Sequence, residues 1–127
     1  MAGNGDTIMI KAYFVMREDL NMTPAKLAVQ VGHGTQRLCI ESDRGLVNEW
    51  ISLPSDSRKI VLKTKDFVSM HGIKHFLKAN EIECFMIVDS GYTEFNGVTQ
   101  TGFCFLFNEE AVSEEVLKKV KRIRLWH

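Results

Sequence analysis

Four polar side chains able to do chemistry recur in one stretch: Lys26, Gln30, His33 and Arg37, at i, i+4, i+7 and i+11. On a helix this spacing aligns an amine, an amide, an imidazole and a guanidinium, with Leu27, Val31 and Leu38 lining a stripe about 100° away. Lys26 falls in the first turn, where a cation opposes the helix dipole at a cost of roughly 0.3–1 kcal/mol. Such local rule-breaking marks either a functional position or an ordinary solvated helix face. A second group is Asp89-Ser90-Gly91-Tyr92-Thr93-Glu94, followed by Gly97, Thr99 and Thr101. Asp89 ends an apolar run, and open α/β sheets bind ligands beyond the carboxyl ends of their strands. Gly91 can take a positive φ and turn the chain sharply. A carboxylate with hydroxyl neighbours can orient and deprotonate a water. It can equally close a turn on its own backbone.

Other catalytic patterns are absent. There is no G-x-S-x-G elbow, Walker A loop or G-x-G-x-x-G. His71 and His75 stand at i, i+4, but no Glu lies between them as in H-E-x-x-H and no further ligand is evident, so no metal is expected. Cys39, Cys84 and Cys104 are odd in number and widely spaced, which reads as reduced structural cysteines in a cytoplasmic protein.

The elements that must position these groups follow from periodicity. The 127 residues fit one domain, residues 1–127, with residues 1–6 expected to form a flexible N-terminus. The apolar fraction is 45% and the charged fraction 25%, ordinary for a globular chain, and no apolar run approaches the roughly 18 residues of a membrane span. The N-terminus lacks the basic and apolar regions of a secretory signal. Residues 8–16 form a strand-like apolar run. Thr23 and Pro24 start a helix to about Ile40, and 43–53 forms a second helix with Pro54 just past its end. A strand over Arg58 to Thr64, a helix from Asp66 to Ala79, a strand over Cys84 to Val88, a strand over Thr101 to Phe107 and a helix over Ala111 to Lys121 complete the pattern. In the tail, Ile123, Leu125 and Trp126 are available to pack or pair. This order is α/β: a single domain with a mixed four-stranded sheet and helices on both faces, a three-layer α/β/α arrangement. Helical crossovers make the first three strands parallel; the short loop before the fourth makes it antiparallel.

Taken in order, these motifs resemble the archaeal and eukaryotic-type peptidyl-tRNA hydrolases. Residues 17–33, Arg-Glu-Asp-Leu-Asn-Met-Thr-Pro-Ala-Lys-Leu-Ala-Val-Gln-Val-Gly-His, are similar to that family's V-V-R-x-D-L-x-M-G-K-G-K-x-A-A-Q-x-x-H segment, with Lys26 on its second lysine. Trp50 and Lys59-Ile60-Val61-Leu62-Lys63 resemble its next helix and K-V-V-L-K strand, and Asp89 to Glu94 its D-A-G-x-T-Q loop. Thr99 and Thr101 match two later threonines. The sequence departs from the pattern at Pro24, which replaces the first lysine, at Thr23 and Ala25, which replace glycines, and at Glu94, which replaces the loop glutamine.

The resemblance implies cleavage of the ester joining a peptide to the 3′ ribose of tRNA, without metal or cofactor. Catalytic roles fall to Lys26, Asp89, Thr93 and Thr101; Gln30, His33, Arg37, Gly91 and Thr99 would contact substrate. In the expected chemistry Asp89, oriented by Thr93, polarises a water while Lys26 stabilises the oxyanion or the leaving oxygen. Arg37, Lys59 and Lys63 would meet acceptor-stem phosphates. The family resemblance also implies a homodimer, with peptidyl-tRNA as partner. The departures keep a second expectation open, a non-catalytic tRNA- or protein-binding module of the same fold.

Overall fold

The computed structural model describes residues 10–52, 57–92, 95 and 97–127. The N-terminal stretch 1–6, Pro54, Thr93 and Glu94 lie outside the described residues. The opening apolar run forms β1 (Ile10–Arg17), buried along almost its whole length. Such a run fits a strand covered on both faces.

Each helix starts on a side chain suited to cap it. Thr23 accepts the Lys26 N–H at the start of α1 (Pro24–Glu41), with Pro24 in the first turn. Asp43 caps α2 (Arg44–Ile51), and Asp66 caps α3 (Phe67–Ala79). Ser113 caps α4 (Glu114–Arg122), so this helix begins three residues later than periodicity from Ala111 suggests. Such caps contribute about 1 kcal/mol each by satisfying an orphan N–H.

The remaining strands are β2 (Lys59–Thr64), β3 (Phe85–Asp89) and β4 (Thr99–Asn108). They form one mixed sheet in the order β2-β1-β4-β3. β2 runs parallel to β1, and β4 runs antiparallel to both β1 and β3. The first three strands therefore share a direction, as expected, and the last one is inserted between β1 and β3. Sequence order alone does not specify that insertion.

One core joins α1 and α2 to the sheet through Phe14, Met16, Leu38, Trp50, Ile87 and Cys104. A second joins α3 and α4 through Tyr13, Val15, Met70, Leu77, Phe103 and Phe105. These are the three expected layers. The tail does pair: Leu125 bridges Leu62, and the Trp126 N–H donates to the Val61 carbonyl at 2.9 Å, covering the outer edge of β2. Covering an edge strand in this way blocks pairing with other chains.

Candidate active site

At the carboxyl end of β3 the strand hands a carboxylate to α1. Lys26 Nζ lies 2.6 Å from Asp89 Oδ1, with 8% and 4% of the two residues exposed. Gln30 Nε2 donates to the same oxygen at 2.9 Å, and the Gly91 backbone N–H donates to Oδ2 at 2.8 Å. Thr101 Oγ1 donates to Gln30 Oε1 at 2.8 Å, which fixes the orientation of the amide. The chain of contacts Thr101–Gln30–Asp89–Lys26 is buried throughout. The Phe95 ring completes the wall, 5.4 Å from the Lys26 ammonium.

Two backbone features bring these groups together. The first is close packing at Gly34, where an added Cβ would lie 2.8 Å from Ile87 Cδ1 and 3.0 Å from Phe14. The missing side chain lets α1 settle on the sheet and turns Lys26, Gln30, Gly34 and Leu38 inward as its buried line. The helical spacing sets Lys26 and Gln30 on a stripe about 100° from Leu27 and Val31, with the apolar stripe as the packing side. The structure corrects this: Lys26 and Gln30 are buried beside Leu38, while Leu27 and Val31 are half-buried.

The second feature is a register shift between β3 and β4. Ile87 pairs with Gly102 but Val88 pairs with Gln100, which leaves Thr101 as an extra residue on β4. Strict alternation would group Thr101 with Phe103 and Phe105 on the α3 side. The bulge instead brings its hydroxyl to Gln30 on the α1 side. After Asp89, Gly91 has φ +89° and sits against Gly97, where a Cβ would meet backbone atoms at 2.5 Å. Only glycine fits this turn, which delivers the Gly91 N–H to Asp89.

Electrostatics follow from these contacts. Burial acts to raise the Asp89 pKa, but the Lys26 hydrogen bond, the Gly91 N–H, the Lys26 charge and the Gln30 amide outweigh it. The carboxyl therefore titrates below its ordinary value and is ionised at neutral pH. Burial pushes the Cys84 and Cys104 thiols up to about 12, which leaves both as core residues and not nucleophiles.

The other expected residues are placed differently. Thr93 lies outside the described residues. Thr99 Oγ1 donates to the Gly97 carbonyl two residues before it and is half-buried. His33 is exposed on α1 and takes no part in the buried chain. Arg37 is committed to Glu41 and to the Met86 carbonyl of β3. Lys63 pairs with Glu18, and Lys59 lies over Trp50. Because β2 and β3 are opposite edges of the sheet, Arg37, Lys59 and Lys63 do not form one patch. Sequence reasoning passed over Gly34 and Phe95. Gly34 was accessible in principle, because it continues the Lys26, Gln30 spacing by four residues; Phe95 carried no signal.

Fold and site together define a small α/β domain with a carboxylate-held ammonium at the carboxyl edge of its sheet, suited to an oxygen that gains negative charge. The family model for peptidyl-tRNA hydrolase PTH2 matches residues 10–123. A peptidyl-tRNA hydrolase of Thermoplasma acidophilum is 31% identical over 114 residues, which cover 87% of this chain and 96% of that protein. A peptidyl-tRNA hydrolase of Methanopyrus kandleri is 32% identical over 95 residues, 73% of this chain and 80% of that protein. The chain belongs to the PTH2 family of peptidyl-tRNA hydrolases.

Proposed function

We propose that this protein hydrolyses the ester between a peptide and the 3′ ribose of tRNA, with Lys26 as the electrophilic group. The observation that carries the reading is the buried Lys26–Asp89 pair at the edge of the sheet. An ammonium fixed there can stabilise charge on the carbonyl oxygen as water adds, a kind of stabilisation worth roughly 10²–10³ in rate. The water proton ends on the 3′ oxygen as the C–O bond breaks. An ester makes this practicable without a serine triad, because a ribose alkoxide leaves far more readily than the amide anion that an unprotonated peptide nitrogen would have to become.

Asp89 serves chiefly to hold Lys26. A general base works best with a pKa near the operating pH, and this carboxyl is depressed. Oδ1 already accepts from Lys26 and Gln30. Among the described residues Oδ2 has one donor, Gly91, and on that count keeps a lone pair with which to orient the water. Gln30 and Thr101 act as positioning residues through their contacts with Asp89 and with each other. Thr93 follows Asp89 by four residues and is proposed to orient substrate or water on the strength of the motif. The same reading includes transient tRNA binding, a homodimer, and a cytoplasmic location; the three free cysteines fit a reducing compartment. No described helix is long and apolar enough to cross a membrane.

Single-turnover release of peptide from purified peptidyl-tRNA tests the reading. Lys26→Ala should slow it about 10²–10³-fold, with folding retained by circular dichroism. Cleavage by the wild type at the rate of Lys26→Ala would reject the role of Lys26. Binding of tRNA without any cleavage by the wild type would identify a non-catalytic module instead. Binding should weaken steeply with salt if phosphates carry it.

A further inference from the structure

β3 is an outer strand of the sheet, and its free edge runs straight into the site. Arg37 Nη1 donates to the Met86 carbonyl at 2.6 Å, so the backbone of Met86 faces away from β4. The extra residue of the bulge belongs to β4, so β3 keeps its two-residue period. The N–H and C=O of Val88 therefore face the same outer side as those of Met86. Val88 is 42% exposed, and among the described residues nothing outside the sheet bonds its backbone. Helix α1 runs antiparallel alongside: Arg37 reaches Met86, and Gln30 and Lys26 reach Asp89. His33, three residues after Gln30 and four before Arg37, stands on the helix between these contacts and is exposed. An open stretch of strand edge one residue long thus lies directly before Asp89, with an occupied carbonyl on its far side.

We infer that Val88 binds the main chain of the substrate's peptide as a short parallel strand, an inference that rests on the peptidyl-tRNA reading above. The peptide of such a substrate varies in sequence, so recognition must use groups common to every residue, and strand addition does so. The direction follows from the site. β3 ends at Asp89, and the ester at the peptide's C-terminus lies at Lys26, so peptide and strand run the same way. In parallel pairing the Val88 C=O accepts from the N–H of the C-terminal residue. The Val88 N–H donates to the carbonyl two residues further upstream. The next bond upstream would need the Met86 carbonyl, which Arg37 fills. Recognition therefore ends at an acylated dipeptide.

The test is a length series on the full chain: N-acetyl-aminoacyl-tRNA, N-acetyl-dipeptidyl-tRNA and N-acetyl-tripeptidyl-tRNA. In the wild type kcat/KM should rise roughly threefold to tenfold at the dipeptidyl ester, the effect of one added hydrogen bond, and then stay level. Val88→Pro removes the donor at an edge position that tolerates proline and should abolish the rise; Val88→Ala keeps the donor and should retain it. Arg37→Ala frees the Met86 carbonyl and should restore a gain at the tripeptidyl ester. Equal kcat/KM for the first two substrates in the wild type, or the same rise in Val88→Pro, overturns the inference. Titration of the labelled protein with an N-acetyl-dipeptide amide gives a reading that needs no tRNA. The Val88 amide resonance should shift, and an unmoved resonance overturns the subsite. A shifted Val88 resonance with no cleavage of any tRNA ester would instead reject the hydrolase reading and keep the peptide subsite.

Discussion

Replacing Asp89 by Asn changes almost no volume, yet it should be among the most damaging single changes in this protein. The Lys26 ammonium would stay buried without its counter-ion, and breaking a buried pair from one side costs about 3–5 kcal/mol. The amide nitrogen would also face donors, because Lys26, Gln30 and Gly91 all point N–H groups at this carboxylate. Lys26→Met should cost less. Asp89 then keeps its bonds from Gln30 and Gly91 and loses one charged hydrogen bond, worth about 1.5–3 kcal/mol. The double variant buries no charge and should lose about 2–4 kcal/mol, well short of the sum of the single losses. Urea unfolding measures all three. With a slope of about 2 kcal/mol per molar, a loss of 4 kcal/mol moves the midpoint by about 2 M. The pH dependence has a definite sign. The folded Asp89 carboxyl lies below its unfolded value of about 3.9. The pair's stabilisation is thus complete above that value and is lost as pH falls through the lower folded one. Single losses that add to within about 0.5 kcal/mol in the double variant would show that the two side chains act independently, and the site described here would be wrong.

Three further outcomes are expected. Gly34→Ala should cost about 1–3 kcal/mol by overpacking and slow hydrolysis by lifting Lys26 and Gln30 away from Asp89; thermal melts and single-turnover rates check both effects. Thr101→Val keeps the shape but leaves Gln30 Oε1 without its donor, so it should destabilise by about 1–3 kcal/mol and lower kcat more than it raises KM. Glu109, with 9% of its side chain exposed, accepts from Lys11, Lys121 and Tyr13. Burial raises its pKa, but the lysine hydrogen bonds and charges pull it below the ordinary value. Glu109→Gln should therefore destabilise at neutral pH, and the gap to wild type should close as acid titrates the wild-type carboxyl.

Much of the protein was legible in its sequence because the signals are local. Thr23 and Asp66 cap helices through their own backbone neighbourhoods, whereas Asp43 and Ser113 lie inside the stretches that periodicity assigns to helix and were not legible as caps. The apolar run of β1 identifies a strand covered on both faces, that of β3 a further strand of the sheet, and motif order identifies the family. Lys26 and Asp89 each sit at a position with a local oddity, a cation in a first helical turn and an acid closing an apolar strand, but it is the ordered family resemblance that singles them out. What the sequence could not say is that the two touch. That depends on Gly34 letting α1 down onto Phe14 and Ile87, a contact between residues far apart in the chain. The polar stripe is ambiguous for the same reason: periodicity gives the angle between faces, and only packing decides which face turns inward. Thr101 shows the limit most clearly. Period-two alternation assigns it to the α3 side, and one extra residue in the pairing with β3 carries it to Gln30. The sequence by itself determined which elements form and which residue types are available for chemistry. The tertiary structure decided which of them meet, because long-range registry and close approach are properties of paired elements and not of either one alone.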